Sequence, residues 1–295
     1  MTVTNTLELN LVEKDKGNIN YQIDRFPDGQ SMLFLKDSND KRFLLSFLRE
    51  IKMPVTIKSR FNSYDDLNLI ACAKACLNRL GIEEVHLFIP YMFGARADRQ
   101  FTDGGCSYMV DVMSKFLNNL NFKTITVVDI HSDVTPACIP NINNISYLPN
   151  LTDMALNEIN KKCYIVSPDS GASKRTFETA KQLKKHDFSI IECAKHRDLA
   201  TGKILETVVP KDDFEGMDCV IVDDISSRGG TFMGIASKLK EKNAGDIYLV
   251  VAHYEGTADV EQFKASGIKK VFTTNSISDL TEEKYQGFIQ QINIF

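Results

Sequence analysis

From about residue 85 the chain alternates short apolar, β-rich runs with stretches of helical character. The runs are Val85–Tyr91, Thr124–Ile130, Tyr164–Pro168, Val220–Ile225, Ile247–His253 and Val271–Thr274. Helical candidates fall near 107–120, 151–160, 172–185, 231–243 and 258–266, several closed by Gly or Asn. Near-continuous apolar strands that return through helices predict an α/β fold, with mainly parallel sheets flanked by helices on both faces. The passage Pro136–Asn150 is rich in Pro and Asn and reads as a loop. A domain boundary is expected there, giving 1–140 and 141–295. Residues 1–60 are less regular, with hairpin character and turn signals at Lys16-Gly17 and Pro27-Asp28-Gly29.

Charge narrows the partners of such a fold. The 295 residues carry 35 basic and 39 acidic side chains, a net charge of −4, and 43% are hydrophobic. A packed core is expected, and no field exists for holding a polyanion, which argues against nucleic acid or a membrane surface as partner. No apolar run approaches the roughly 18–20 residues of a membrane span, and the start MTVTNTLELNLVEKDKG lacks a signal-peptide layout, so a cytoplasmic protein is expected. The seven cysteines are odd in number and form no CxxC pair, as expected of reduced structural thiols. Cys72 and Cys76, four apart among alanines, read as small packing residues on a helix.

The strongest local signal is Cys219-Val-Ile-Val-Asp-Asp-Ile-Ser-Ser-Arg-Gly-Gly-Thr231. A strand delivers two adjacent carboxylates at its carboxyl end, where open α/β sheets bind ligands. The small-residue loop that follows can close its backbone N–H groups around a phosphate at a helix N-terminus. Gly229 and Gly230 allow close approach of the backbone, and Ser226, Ser227 and Thr231 offer hydroxyls. Asp223 and Asp224 repel a phosphate and suit sugar hydroxyls or magnesium. A ribose bearing a 5-phosphate needs both halves. Elsewhere, Lys195 and Arg197 alternate on an apparent hairpin arm and project to one side, which by itself reads as a solvated basic edge. His131 follows a strand end beside Asp129, although a lone histidine in such a place is more often structural. No G-x-x-x-x-G-K-[ST] motif occurs, and Gly-Ala-Ser-Lys-Arg at 171–175 reads only as a helix start.

The 219–231 string resembles the phosphoribosyl-diphosphate loop of the type I phosphoribosyltransferase fold. Within that fold, several further motifs occur in the order of the ribose-phosphate pyrophosphokinases. Phe26-Pro-Asp-Gly-Gln30 resembles their adenine loop and Tyr91-Met-Phe-Gly-Ala-Arg-Ala-Asp-Arg99 their ATP segment. Asp129-Ile-His131 resembles the D-L-H metal motif, Ser167-Pro-Asp-Ser-Gly-Ala172 the S-P-D-x-G element, and Lys195-His-Arg197 the K-x-R of the mobile catalytic loop. The resemblance implies two phosphoribosyltransferase-like domains, ATP as co-substrate, Mg2+ as cofactor and a homo-oligomer. It assigns Phe26, Asp28, Gln30, Arg96, Asp98 and Arg99 to ATP. Asp129 and His131 are implied at one magnesium and Asp169 at a second, while Lys195 and Arg197 become a catalytic pair stabilising charge during transfer. Ser226 to Thr231, with Asp223 and Asp224, are implied at the ribose phosphate.

Four positions depart from the family pattern. Ala97 stands where the ATP segment has glutamine and Gln30 where the adenine loop has glutamate; neither removes a charge that the chemistry requires. Ser227-Arg228 replaces Asp-Thr, and a guanidinium brings more donors than one monophosphate needs. The expected reaction is transfer of the diphosphoryl group of ATP to the anomeric hydroxyl of a 5-phosphorylated ribose, releasing AMP. The acceptor is ribose 5-phosphate, with Arg228 turned to solvent, or an ester with further phosphate such as ADP-ribose. The alternatives are a phosphoribosyltransferase, which needs no ATP segment, and a non-catalytic subunit associated with an active synthetase.

Overall fold

The structure is a computed structural model that describes residues 6–37, 45–159, 161–197 and 204–295, except the side chains of 195–197 and 204–206. It forms two compact units, Met1–Ile145 with Phe295, and Ser146–Ile294. Among the described residues no helix is long and apolar enough to cross a membrane.

In the first unit the elements run β1 (Leu7–Asn10), β2 (Asn20–Arg25), β3 (Ser31–Lys36), α1 (Leu45–Ile51), β4 (Val55–Lys58), α2 (Tyr64–Arg79) and β5 (Val85–Phe88), then α3 (Ser114–Asn119), β6 (Ile125–Val128), α4 (Val134–Cys138) and β7 (Ile142–Ile145). Strands β1-β4-β5-β6-β7 form a parallel sheet in that order. Alternate residues Val55, Ile57, Val85, Leu87, Ile125 and Val127 are fully buried in one core, as the period of two requires. Helix α2 starts at Ser63, whose Oγ accepts from the Asp66 amide at 3.2 Å while the Asp66 carboxylate accepts from the Asn62 amide at 2.9 Å. Its Leu67, Ile70, Ala73 and Leu77 face the core, the spacing of an amphipathic helix. Cys72 and Cys76 are partly buried and reduced. A π-helical turn at Tyr108–Met113 leads into α3. Strands β2 and β3 form a separate antiparallel hairpin.

The second unit runs α5 (Leu148–Leu156), β8 (Cys163–Ser167), α6 (Ser170–Lys181), β9 (Phe188–Glu192), β10 (Ala194–Arg197), β11 (Ile204–Val208) and β12 (Asp218–Ser226), followed by α7 (Gly230–Glu241), β13 (Ile247–Tyr254), α8 (Val260–Ala265), β14 (Ile268–Thr274) and β15 (Ile289–Ile292). Six strands pair in parallel in the order β15-β14-β13-β12-β8-β9. Strand β13 is buried throughout, and in β12 every residue but Asp223 is buried. Cover on both faces explains why these two strands read as unbroken apolar runs.

One expected loop is not a loop. Pro136–Asn150 holds the end of α4, all of β7 and the start of α5. Strand β7 was hidden because it is an edge strand whose Asn143 and Asn144 are exposed, and Pro149 opens a helix instead of breaking one. Residues 1–60 are also more regular than their composition suggests, since β1 and β4 belong to the parallel sheet.

In the second unit Asp153 of α5 ties down the segment after α6, accepting from Lys185 Nζ at 2.8 Å and lying 2.8 Å from His186 Nε2. Burial works against its ionisation, but hydrogen bonds from Lys185 and His186 outweigh it and hold the carboxyl below its usual value. A depressed folded pKa contributes stability above the unfolded value of about 4 and loses it as pH falls through the folded one. Asp153→Asn is therefore less stable than the parent to urea at pH 6, and the gap narrows as pH falls from about 5 toward 3. A gap that stays constant over that range counts against the assignment.

Candidate functional site

The second unit builds the 219–231 string much as its chemistry demands. Strand β12 ends at Ser226, and Gly229 enters α7 with a left-handed φ of 74°. A Cβ at Gly229 would lie 2.5 Å from the Phe263 ring, so both conformation and space call for glycine here. No side chain caps α7, whereas Ser63, Asp169 and Asp259 cap α2, α6 and α8. The Phe232 and Met233 amides donate to the Gly229 carbonyl, and among the described residues the amides of Gly230 and Thr231 have no side-chain acceptor, an arrangement that suits anions. Ser226 Oγ is buried and has no hydrogen-bond partner among the described residues. Ser227 and Thr231 are partly buried and Gly230 is exposed. Arg228 is exposed, and no hydrogen bond or ion pair ties it to a described residue.

The acidic pair is already engaged from within the protein. Arg175 Nη1 donates to Asp223 Oδ1 at 2.9 Å and contacts Asp224 Oδ1. Asp223 Oδ1 also accepts from the Asp224 amide at 2.8 Å. Sequence reasoning missed Arg175, because 171–175 reads as an ordinary helix start. The available signal was its place beside the buried stripe of α6, one residue before Thr176. With its charge offset by a guanidinium, the pair suits sugar hydroxyls better than a second cation.

Asp169 caps α6, its Oδ1 accepting from the Ala172 amide at 3.0 Å. Strands β10 and β11 form the expected antiparallel arm, with a register shift between His196 and Arg197. The side chains of Lys195 and Arg197 lie outside the described residues.

In the first unit, the loop Phe26–Gln30 is the tip of the β2–β3 hairpin. It is closed by Phe26 N to Gln30 O at 2.8 Å and by the Asp28 carboxylate accepting from the Gln30 amide at 3.1 Å. Phe26 is 44% exposed at this tip, as are several other large apolar side chains of the surface. The ATP-like segment follows β5. Gly94, with φ 82°, lies against the Tyr108 ring where any Cβ would clash. Tyr108 donates to the Tyr64 hydroxyl at 2.8 Å, and Phe93 packs edge-on against both rings. Burial and the Tyr64 contact push the Tyr108 hydroxyl pKa up. These aromatics brace the segment that presents exposed Arg96 and Arg99.

Asp98 is buried and brings three predicted residues together. Burial tends to raise its pKa, but a hydrogen bond from Ser132, the Arg99 cation 3.2 Å away and the nearby His131 hold it below the usual carboxylate range. Asp98 thus ties the ATP-like segment to the loop after β6. Asp129 opens that loop, buried and with a left-handed φ of 39°. Such a backbone is uncommon outside glycine and marks a constrained strand end. Among the described residues no three His, Cys, Asp or Glu side chains group to hold a metal by themselves.

Comparison with known proteins bears on the family and the fold. Residues 148–286 match the family model of the phosphoribosyl transferase domain. The ribose-phosphate pyrophosphokinase of Marinomonas sp. is 30% identical over 221 residues, 74% of this chain and 68% of that one. That of Saccharolobus solfataricus is 28% identical over 260 residues, 86% of this chain and 83% of that one. The phosphoribosylpyrophosphate synthetase structure from Mycobacterium smegmatis shares the fold at a TM-score of 0.74 and 18% identity, over 93% of this chain and 86% of that one. The α/β fold of two phosphoribosyltransferase-like domains is thereby established, and the chain belongs to the ribose-phosphate pyrophosphokinase family.

Proposed function

We propose that the protein transfers the diphosphoryl group of ATP to the anomeric hydroxyl of a 5-phosphorylated ribose. The anomeric oxygen attacks the β-phosphorus in line, the bond between that phosphorus and the bridging oxygen breaks, and AMP leaves with the oxygen. The hydroxyl proton passes to solvent. The observation that supports the acceptor most directly is the juxtaposition in the second unit of an uncapped α7 N-terminus with the Asp223/Asp224 pair. Carboxylates accept sugar hydroxyls, and helix amides receive the 5-phosphate.

The first unit carries the groups suited to ATP. Arg96, exposed after β5, suits the triphosphate as a bidentate donor, and Phe26 suits a purine face, with Asp28 accepting from the exocyclic amine. The donor set also fits magnesium, which keeps several waters and takes few protein ligands. Asp129, with His131 alongside, would hold one ion, and Asp169 a second through lone pairs that its capping bond does not use. When bound, magnesium offsets the triphosphate charge and orients it. Lys195 and Arg197 stabilise negative charge on the transferred group. Positioning and electrostatics suffice for such a transfer, without a covalent intermediate.

Arg228, turned to solvent as the ribose 5-phosphate reading has it, also leaves a donor for an acceptor with more than one phosphate. It is exposed, unpaired among the described residues and next to the α7 terminus. A guanidinium there can grip a second phosphate beyond the first, as in ADP-ribose, whose terminal ribose has an anomeric hydroxyl. Mass spectrometry after incubation with Mg-ATP and either ribose 5-phosphate or ADP-ribose tests this: AMP and an acceptor heavier by one diphosphate are expected, with ADP-ribose preferred. Arg228→Thr raises the KM for ADP-ribose by roughly tenfold and affects ribose 5-phosphate less. A parental preference for ribose 5-phosphate would sink the larger acceptor. Lys195→Ala lowers kcat about 10²–10³-fold with the circular dichroism unchanged; full retention of activity would remove Lys195 from the chemistry, and a parent inactive with both acceptors would favour a regulatory subunit.

A further inference from the structure

Helix α6 is fixed to β12 one residue before the acidic pair. Its Ala172, Thr176, Thr179 and Ala180 are buried, and Thr176 Oγ1 lies 3.5 Å from the Val222 carbonyl. Arg175, next to Thr176 in the same turn, is thereby held over the end of the strand. Its side chain is 18% exposed, against 16% for Asp223 and 4% for Asp224, so water screens the cluster weakly.

Two tendencies oppose the use of Asp223 and Asp224 together. Consecutive strand residues send their side chains to opposite faces, and neighbouring carboxylates in a poorly solvated place resist ionising together. A single guanidinium nitrogen in contact with both counters each tendency: it draws the pair toward one spot and supplies the balancing charge. Arginine suits this task because its planar fork of donors keeps its charge at any working pH. An ionised carboxylate only accepts hydrogen bonds, which is what sugar hydroxyls require of it.

We propose that Arg175 is a positioning residue for the acceptor, a tethered counter-ion that keeps Asp223 and Asp224 charged and aimed at the hydroxyls of the ribose. The inference rests on reading 219–231 as the ribose-phosphate loop. Arg175 acts through the two carboxylates and takes no part in bond making or breaking. Its effect therefore falls on the acceptor, because the groups assigned to ATP lie in the first unit.

Steady-state kinetics of the full-length parent, Arg175→Lys and Arg175→Met, varying acceptor and Mg-ATP in turn, test the proposal. Arg175→Met raises the acceptor KM by roughly tenfold or more while the ATP KM stays within about twofold. Arg175→Lys recovers part of the loss, since it restores the charge without the fork. Millimolar guanidinium chloride restores part of the Arg175→Met rate, and urea at the same concentration does not. Unchanged acceptor kinetics in Arg175→Met overturn the proposal. So does a proportional rise in both KM values without guanidinium rescue, the result expected if Arg175 merely docks α6. Calorimetric titration with ribose 5-phosphate and ADP-ribose in the absence of ATP separates this from the proposed reaction. If the parent binds an acceptor but releases no AMP, the reaction fails while the affinity ratio of parent to Arg175→Met still decides the role of Arg175. A parent that binds neither acceptor overturns both.

Discussion

Every strand pairing in the five- and six-stranded sheets is parallel, and the chemistry of the chain depends on that constraint. Parallel neighbours cannot be joined by tight turns, so a helix or long crossover returns the chain each time. All carboxyl ends of a sheet then fall along one edge. Within the first unit this gathers Asp98, Asp129 and His131 beyond β5 and β6. Within the second it sets Asp169 after β8 beside the Asp223/Asp224 pair of the neighbouring β12. Helices starting from those same ends bring amide N-termini toward that edge, so each sheet offers carboxylates and anion-binding amides together.

Burial then decides what those charges can do. Asp224 and Asp98 are nearly inaccessible, and a carboxylate in that position needs a partner. Asp98 finds Ser132 and Arg99; Asp224 finds Arg175. Both buried carboxylates therefore join segments that are distant in sequence. Exposed Arg228 differs, because among the described residues no hydrogen bond or ion pair holds it and water can satisfy it. The net charge of −4 conceals this sorting, which depends on depth and not on number.

Much of the fold was legible in the sequence because it rests on local, repeated pattern. Fully buried strands such as β12 and β13 appear as apolar runs, and the phosphate loop is contiguous, so strand end, glycine turn and helix start are read together. Strand β7 was lost because an edge strand buries little and can afford two adjacent asparagines. The role of Arg175 was lost for a different reason. Nothing within 171–175 distinguishes a surface arginine from one laid over β12; the distinction arises when Thr176 docks against Val222, 46 residues away. The aromatic brace of Tyr64, Phe93 and Tyr108 was equally invisible, since it joins the start of α2 to a π-helical turn.

Arg175, against the acidic pair, and Arg228, in the loop that follows it, show how one residue type can suit opposite purposes around one strand end. Arg175 comes from a neighbouring helix, is largely buried, and has its donors directed to carboxylates of the protein. Arg228 comes from the loop itself, is exposed, and has no such partner among the described residues. A phosphate arriving near the pair would be repelled by two uncompensated carboxylates about twice as strongly as it is attracted by one cation at similar range. With the inner guanidinium offsetting much of the carboxylate charge, the α7 amides and Arg228 can act on an incoming anion with less opposition. On the proposed reading, recognition of the phosphate would depend on a residue that need not touch it, and the acidic pair would serve the sugar without excluding the group attached to it.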